Sequence, residues 1–575
     1  MMVINIEVNN RNIEAEKGET ILSALTRAGI GIPTLCSMKE LSPTGACRMC
    51  VVEVEGKPNL VPGCSYPVEE QMRIKTHSAR VIRARKSLVE LLISNHPDDC
   101  LYCERNGNCE LQSLAEELNV RERRIPGIKN SYKLDKSSSG IVREPAKCIL
   151  CGRCVRVCEE LQCVASVDFL YRGSHTHIGT AFNNDLNFSS CIQCGQCLLV
   201  CPTAALTERV QFPDLENHLH DPSKKVVVQF SPITAFTVAE AFGLKPGKET
   251  PAIIHEALKK IGFDSIYDSS LGNDVQVFEM AHELLANLKQ NKNLPLISSC
   301  CPSWVKYAEQ FRPEILPNLS TCKSQQQIMG SLMKTYLNNS DSEDTRQIYS
   351  VSVMPCLSRK YESQRTELTH KGVADIDTVI TSRELIRLIR LNGINMHYLQ
   401  PSAPDPKVSV ISSLALLMGN SGGLTEAIIR SLHFLLTNEE LKEYSIIKVR
   451  GNKERKEFKM KIGEMEYGFA VINGLTGIHT LLNEIANGRK DIHFIEVVAC
   501  RGGCVAGGGQ PIHKPGNEAK LKNKYLYELD ERATIRAAHK NPKVNELYSN
   551  FLGEPLGEKC TSLLHTGFSK KEVLL

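Results

Sequence analysis

The chain has 575 residues, a formal net charge of +4, 42% hydrophobic residues and 23% charged residues. This is an ordinary globular composition, long enough for several domains. The dilute charge gives no footprint for nucleic acid, and no apolar run approaches the ~18 residues of a membrane-spanning helix. The opening MMVINIEVNN alternates like a strand and lacks a signal peptide's long apolar core. The outlier is the cysteine count of 23. The thiols cluster at CxxC spacings, unlike a secreted disulfide framework. The expected setting is therefore a reducing cytoplasm, and the expected role is metal binding.

The first elements in the chain are two alternating runs, VINIEV and NIEAE, around the polar turn NNRN, which predict a hairpin. ETILSALTRAG follows as a helix with Thr20 as N-cap and Gly29 as its stop. Cys36, Cys47, Cys50 and Cys64 come next, spaced C-x10-C-x2-C-x13-C. Four thiolates suit zinc or an iron–sulfur cluster. The spacing resembles the 2Fe–2S domain of complex I-type and hydrogenase subunits, and the hairpin-then-helix start suits a β-grasp ferredoxin over residues 1–79.

SARVIRARKSLVELLISNHP has apolar positions at helical spacing and reads as a packed helix with a solvated basic face. At its end His96, Cys100, Cys103 and Cys109 follow H-x3-C-x2-C-x5-C. Taken alone this set suits structural zinc. It also resembles the histidine-ligated 4Fe–4S segment that lies between ferredoxin-like domains in hydrogenases and complex I, here over 80–125. Cys148, Cys151, Cys154 and Cys158 follow C-x2-C-x2-C-x3-C, and Cys191, Cys194, Cys197 and Cys201 repeat it. This is the bacterial two-cluster ferredoxin pattern, in which each run's fourth cysteine ligates the other cluster. One 4Fe–4S cluster is expected on Cys148, Cys151, Cys154 and Cys201, and the other on Cys191, Cys194, Cys197 and Cys158, in a domain over 138–210. Cys163 is left over as a core thiol. Four clusters in series read as a conductor of single electrons, which needs a redox reaction at its inner end.

From about residue 211 to 575 the composition becomes that of an α/β core. Strand-like KVVVQFSP, PLISSCC, IYSVSVMPC, DTVIT and HFIEVVAC alternate with helical SRELIRLIRLNG and GGLTEAIIRSLHFLLTN. Open α/β folds place their sites at the carboxyl ends of strands. Cys301, Cys356, Cys500 and Cys504 form a dispersed set of four that fits zinc or a 4Fe–4S cluster. The adjacent pair Cys300 and Cys301 cannot easily serve one metal, because neighbours in an extended segment point to opposite faces.

SSCCPSW, VMPCLSRKYES and FIEVVACRGGCVAGGGQP resemble the three signature segments of FeFe-hydrogenases, TSCCPxW, MPCxxKxxE and ExMACxxGCxxGGGQP. With the four upstream cluster motifs, the match is to the monomeric clostridial type and spans the whole chain, including a small-subunit-like C-terminal region. The implied fold is multidomain α+β and α/β, ending in a large α/β H-cluster domain. The implied activity is reversible reduction of protons to H2. The implied partners are ferredoxin or a similar low-potential carrier and the hydrogenase maturation proteins.

The resemblance assigns Cys301, Cys356, Cys500 and Cys504 to the 4Fe–4S part of an H-cluster. Cys504 would bridge to a two-iron subcluster carrying CO, cyanide and a dithiolate. Cys300 becomes the proton relay, suited to it by an ordinary thiol pKa near ~8.5. The cyanide partners implied are Arg359, Ser231 beside Pro232, and Gln326, with Met354, Met418 and Val498 as apolar wall. Farther out, Glu283 and Ser320 match the family's proton route.

Departures are Arg359 for the family lysine (with Lys360 next to it), Val498 for a methionine, Met280 for the first acid of the route (with Glu279 adjacent) and Asn287 for a basic residue. They leave open a hydrogen-sensing or low-activity paralogue. An electron-transfer or iron–sulfur assembly protein without the two-iron unit is a third reading. Basic RERRIPGIK reads as a dock for an acidic ferredoxin or as a solvated face.

Overall fold

A computed structural model describes residues 3–129, 131–338, 344–410, 412–512 and 518–573. The expected hairpin forms from Val3–Val8 and Arg11–Glu16, paired antiparallel with Ile6 opposite Ile13. Asn9 and Asn10 close it with φ of 50° and 65°, a left-handed pair that matches the strand twist. Val3–Val8 also runs parallel to Arg73–Lys75 within a mixed five-stranded sheet. The helix Ile21–Arg27 lays Ile21, Ala24 and Leu25 into that sheet's core, capped by the Thr20 side chain.

The basic helix runs Ala79–Asn95 and stops at His96. A small apolar core built on Leu35, Val89 and Leu114 also takes in Cys47, Cys109 and Ile149. Three cysteine-bearing segments therefore pack around one point. In the ferredoxin-like part the two cysteine runs fold alike. Gly152 and Gly195 take φ of 69° and 74° and open the short helices Arg153–Arg156 and Gln196–Val200. A left-handed turn at each point needs the missing Cβ.

The large domain holds two four-stranded sheets. In one, Ser265–Asp268, Lys224–Phe230, Gln347–Met354 and Thr378–Thr381 lie side by side, all parallel. In the other, Leu296–Ile297, Phe494–Val498 and Met465–Asn473 are parallel, and Arg455–Ile462 returns antiparallel at the edge. Strands were expected at five of these positions. The other three, Ser265–Asp268 and the hairpin Arg455–Asn473, carry no cysteine or proline end to mark them. The C-terminal helices Pro542–Leu547 and Glu558–Leu564 bury Leu547, Cys560 and Leu564 in the domain's largest core. Among the described residues, no helix is long and apolar enough to cross a membrane.

Candidate active site and electron path

Four parallel strands from the two sheets deliver the site. Lys224–Phe230 ends at Ser231 and Pro232, Leu296–Ile297 leads to Cys300 and Cys301, Gln347–Met354 to Cys356, and Phe494–Val498 to Cys500. Ser298 splices the second sheet: its N–H bonds Ile495 O at 2.9 Å and its hydroxyl accepts from Val497 N at 3.1 Å. Trp304, the only tryptophan, is fully buried and donates to Ser298 O at 3.1 Å, which fixes the cysteine pair from below.

The pair separates as an extended segment requires. Cys300 packs against the core that contains Met280 and Cys322, whereas Cys301 packs against the one that takes in Cys158 and Cys194. Burial, then Cys356, raises the Cys301 thiol, and burial, then Cys356 and Cys301, pushes Cys504 up to about 12. Cys500 feels burial and the same neighbours. These four half-buried thiols form one compact set, which suits an iron–sulfur cluster. Burial also drives Cys300 well above the ordinary thiol range that the sequence suggested, so it stays protonated.

Around the set, Arg359 is buried, donating Nη1 to Glu362 at 2.6 Å and Nη2 to Cys300 O at 2.9 Å. Burial alone would lower its pKa; Glu362 and Cys356 more than offset this. Lys360 faces the opposite way, its Nζ 2.7 Å from Glu384 and 3.1 Å from Glu208. Gln326 stands behind Arg359: its amide donates to Glu362 at 3.1 Å and its oxygen accepts from Ser352 at 3.0 Å. Gln326 thus supports the Arg359–Glu362 pair. Met354 and Val498 are buried at their strand ends and Met418 is half-buried. Glu496, which motif reading passed over, accepts from Gly422 N, Thr425 N and the Thr425 hydroxyl, tying the strand before Cys500 to the loop after Met418.

The glycine run closes the distance to the ferredoxin-like part. A Cβ on Gly508 would lie 2.2 Å from Cys194 O, and one on Gly507 would lie 2.3 Å from Pro355 O. Gln196, another residue that motif reading missed, donates its amide to Cys500 Sγ at 3.2 Å and to Ala506 O at 3.1 Å. In the cluster-loaded protein, removing that bond by Gln196→Leu should lower the potential of a cluster held by Cys500 by about 40 mV, the one-electron equivalent of about 1 kcal/mol, because the reduced state carries more negative charge. Redox-poised electron paramagnetic resonance measures the shift.

Outward, one cavity is lined by Cys148, Cys151, Cys154 and Cys201, while Cys191, Cys194 and Cys158 act on Cys197 or on one another. Cys154 and Cys201 also act on Cys197, so the two sets lie side by side. Backbone amides of Leu150, Ser166 and Gln193 point at Cys148, Cys158 and Cys191 sulfurs at 3.2–3.4 Å. Cys163 is half-buried, with Arg501 and Glu454 as its charged neighbours. Arg105 donates to Cys201 O at 2.9 Å, joining the His96 segment to this part. His96 Nδ1 is buried without a partner and its pKa is lowered by burial, so a neutral nitrogen is free for iron. Cys36, Cys47, Cys50 and Cys64 lie together, with Cys47 and Cys64 the groups that act most on the Cys36 thiol and Cys64 on that of Cys50. Arg156 donates to Cys36 O, linking this outermost set inward. The basic run folds back: Arg124 pairs with Glu90, and Arg123 and Lys129 pair with Asp98.

A row of thiol sets leading to a buried reaction centre defines an iron–sulfur oxidoreductase. Residues 2–79 match the 2Fe-2S iron-sulfur cluster binding domain, 85–124 the NADH-ubiquinone oxidoreductase-G iron-sulfur binding region and 147–205 the 4Fe-4S dicluster domain. Residues 224–508 match the iron only hydrogenase large subunit, C-terminal domain, and 517–571 the iron hydrogenase small subunit. The NADP-reducing hydrogenase subunit HndD of Solidesulfovibrio fructosivorans is 38% identical, with all of both chains covered. Iron hydrogenase 1 of Clostridium pasteurianum is 35% identical over 98% of this chain and all of its own length. Apo [FeFe]-hydrogenase HydA1 from Chlamydomonas reinhardtii superimposes with a TM-score of 0.56 at 31% identity, covering 63% of this chain and 99% of its own. The chain belongs to the iron-only hydrogenase family and is an oxidoreductase acting on H2.

Proposed function

We propose that this chain reduces protons to H2, reversibly, with electrons that enter from a reduced ferredoxin and pass through one 2Fe–2S and three accessory 4Fe–4S clusters. The four domains span 1–79 (a β-grasp fold), 80–125, 138–210 and 211–575, and the cluster ligands are those proposed from the motifs. The observation that carries the reading is the half-buried set Cys301, Cys356, Cys500 and Cys504, beside Cys300 and the buried cation Arg359. The H-cluster, once inserted by maturation proteins, supplies the iron at which protons and electrons combine. Cys300 holds the last proton on the protein side. Arg359, Ser231 and Pro232 would hold the cyanide-bearing unit, and Met354, Met418 and Val498 would exclude water. Gln196 and the glycine run bring the last accessory cluster close to the centre.

The electron entrance is the exposed Cys100, flanked by Leu101 and Tyr102 at 86% and 91% exposure, an apolar contact for a soluble carrier in the cytoplasm. The full-length likeness to a subunit of an NADP-reducing hydrogenase favours a second reading, in which a partner subunit delivers the electrons. The test is the purified, matured chain with chemically reduced ferredoxin. H2 evolution together with CO and cyanide infrared bands supports the first reading. Bands with H2 evolution from viologen but none from ferredoxin support the second. Absence of the bands after maturation would exclude both.

A further inference from the structure

At the position of the family's first route acid stands Met280, fully buried in apolar surroundings. One residue earlier, Glu279 is equally buried yet fully partnered. Its Oε2 meets His565 Nε2 at 3.0 Å and accepts from Leu556 N at 3.1 Å, and the Tyr548 hydroxyl donates to Oε1. On its other ring nitrogen, His565 meets Thr321 Oγ1 at 2.8 Å. Thr321 Oγ1 in turn donates to Glu283 Oε1 at 2.9 Å, and Ser320 Oγ donates to Glu283 Oε2 at 2.5 Å. Thr321 is exposed. An unbroken chain of hydrogen bonds thus joins solvent to a buried acid.

Inward of that acid lies Cys322, a fully buried thiol outside every cluster set. It shares a core with Cys300. Its N–H bonds Ser320 Oγ at 3.3 Å and its carbonyl accepts from Ser299 Oγ at 2.8 Å, so its backbone is pinned between the outer route and the cysteine pair, while its thiol donates to Gln276 O at 3.9 Å and must turn from it to pass a proton. Burial raises its pKa most, and the charges next in effect are Glu279, Glu283 and Cys300, in that order. For Glu279, burial alone would raise the pKa; the His565 and Tyr548 bonds more than offset it.

We propose that protons reach Cys300 through Glu283, Thr321, His565, Glu279 and Cys322, with the Cys322 thiol bridging the gap that Met280 leaves. The proposal rests on the reading of Cys300 as the last proton carrier. Each group passes one proton inward as it accepts one from outside, so the relay ends unchanged. Two such transfers, with two electrons from the cluster path, supply one H2.

The test uses the full chain with its clusters. Cys322→Ala should lower turnover about a hundredfold with the CO and cyanide bands intact, and Cys322→Ser, whose hydroxyl also passes a proton, should recover a large part. A second readout needs no turnover and no two-iron unit. The Cys322 S–H infrared band, identified by its loss in Cys322→Ala, converts to S–D in D2O, and His565→Phe or Thr321→Val should slow that conversion about tenfold. Wild-type turnover in Cys322→Ala while Cys300→Ala is inactive would overturn the route, as would unchanged exchange in both outer variants. Full activity in Cys300→Ala would instead overturn the role of Cys300, and the exchange measurement would still decide the route.

Discussion

Cys300→Ala abolishes most hydrogen turnover while every cluster signal and the CO and cyanide infrared bands persist. The expected loss is about 10²–10⁴-fold, the usual contribution of a positioned acid–base group. The substitution removes a proton carrier and no ligand, because Cys300 and Cys301 enter different cores. Burial keeps the Cys300 thiol protonated well beyond neutral pH, so in the resting protein it is a donor. Cys300→Asp restores part of the turnover, since an acid of similar reach remains. Activity assays paired with infrared spectra on the same samples check this. Loss of the bands in Cys300→Ala would show that the pair had been assigned the wrong way round.

Arg359→Ala loses most CO and cyanide band intensity per protein after maturation. Only Cys504 would hold the two-iron unit covalently, and the lost charge-assisted bond is worth about 1.5–3 kcal/mol. The structure adds a second cost. Glu362, buried and bonded to Arg359 at 2.6 Å, would be left without its cation, a change that destabilises by about 3–5 kcal/mol. The double variant Arg359→Ala/Glu362→Gln separates the two effects. It relieves the unpaired acid, so its thermal stability returns toward wild type while its band intensity stays low. Arg359→Lys retains intermediate intensity, because an ammonium cannot span both Glu362 and Cys300 O as the planar fork does. Lys360→Ala leaves the bands unchanged at the site, since Lys360 serves Glu208 and Glu384. Wild-type band intensity in Arg359→Ala would remove Arg359 from the anchoring role.

Some of this was legible in the residues alone. The cysteine runs are local: within C-x2-C-x2-C-x3-C the chain itself brings the sulfurs together, so the spacing carries the ligand pattern. Elements with a strong period or a cap were legible for the same reason, as with the Thr20-capped helix and the hairpin at Asn9 and Asn10. Strand ends marked by cysteine or proline were also readable, from Phe230–Ser231 to Val498–Cys500.

What the tertiary structure decided lies between segments far apart in sequence. His565 reaches Glu279 across 286 residues, and Gln196 reaches Cys500 across 304. No local pattern encodes such meetings, because they follow from how the last helices and the ferredoxin-like part pack on the two sheets. The choice between Arg359 and Lys360 is of the same kind. Both are buried cations in one short helix, and successive helical positions face different sides. The partners waiting on each side, Glu362 and Cys300 O against Glu208 and Glu384, settle which of the two turns toward the thiol set.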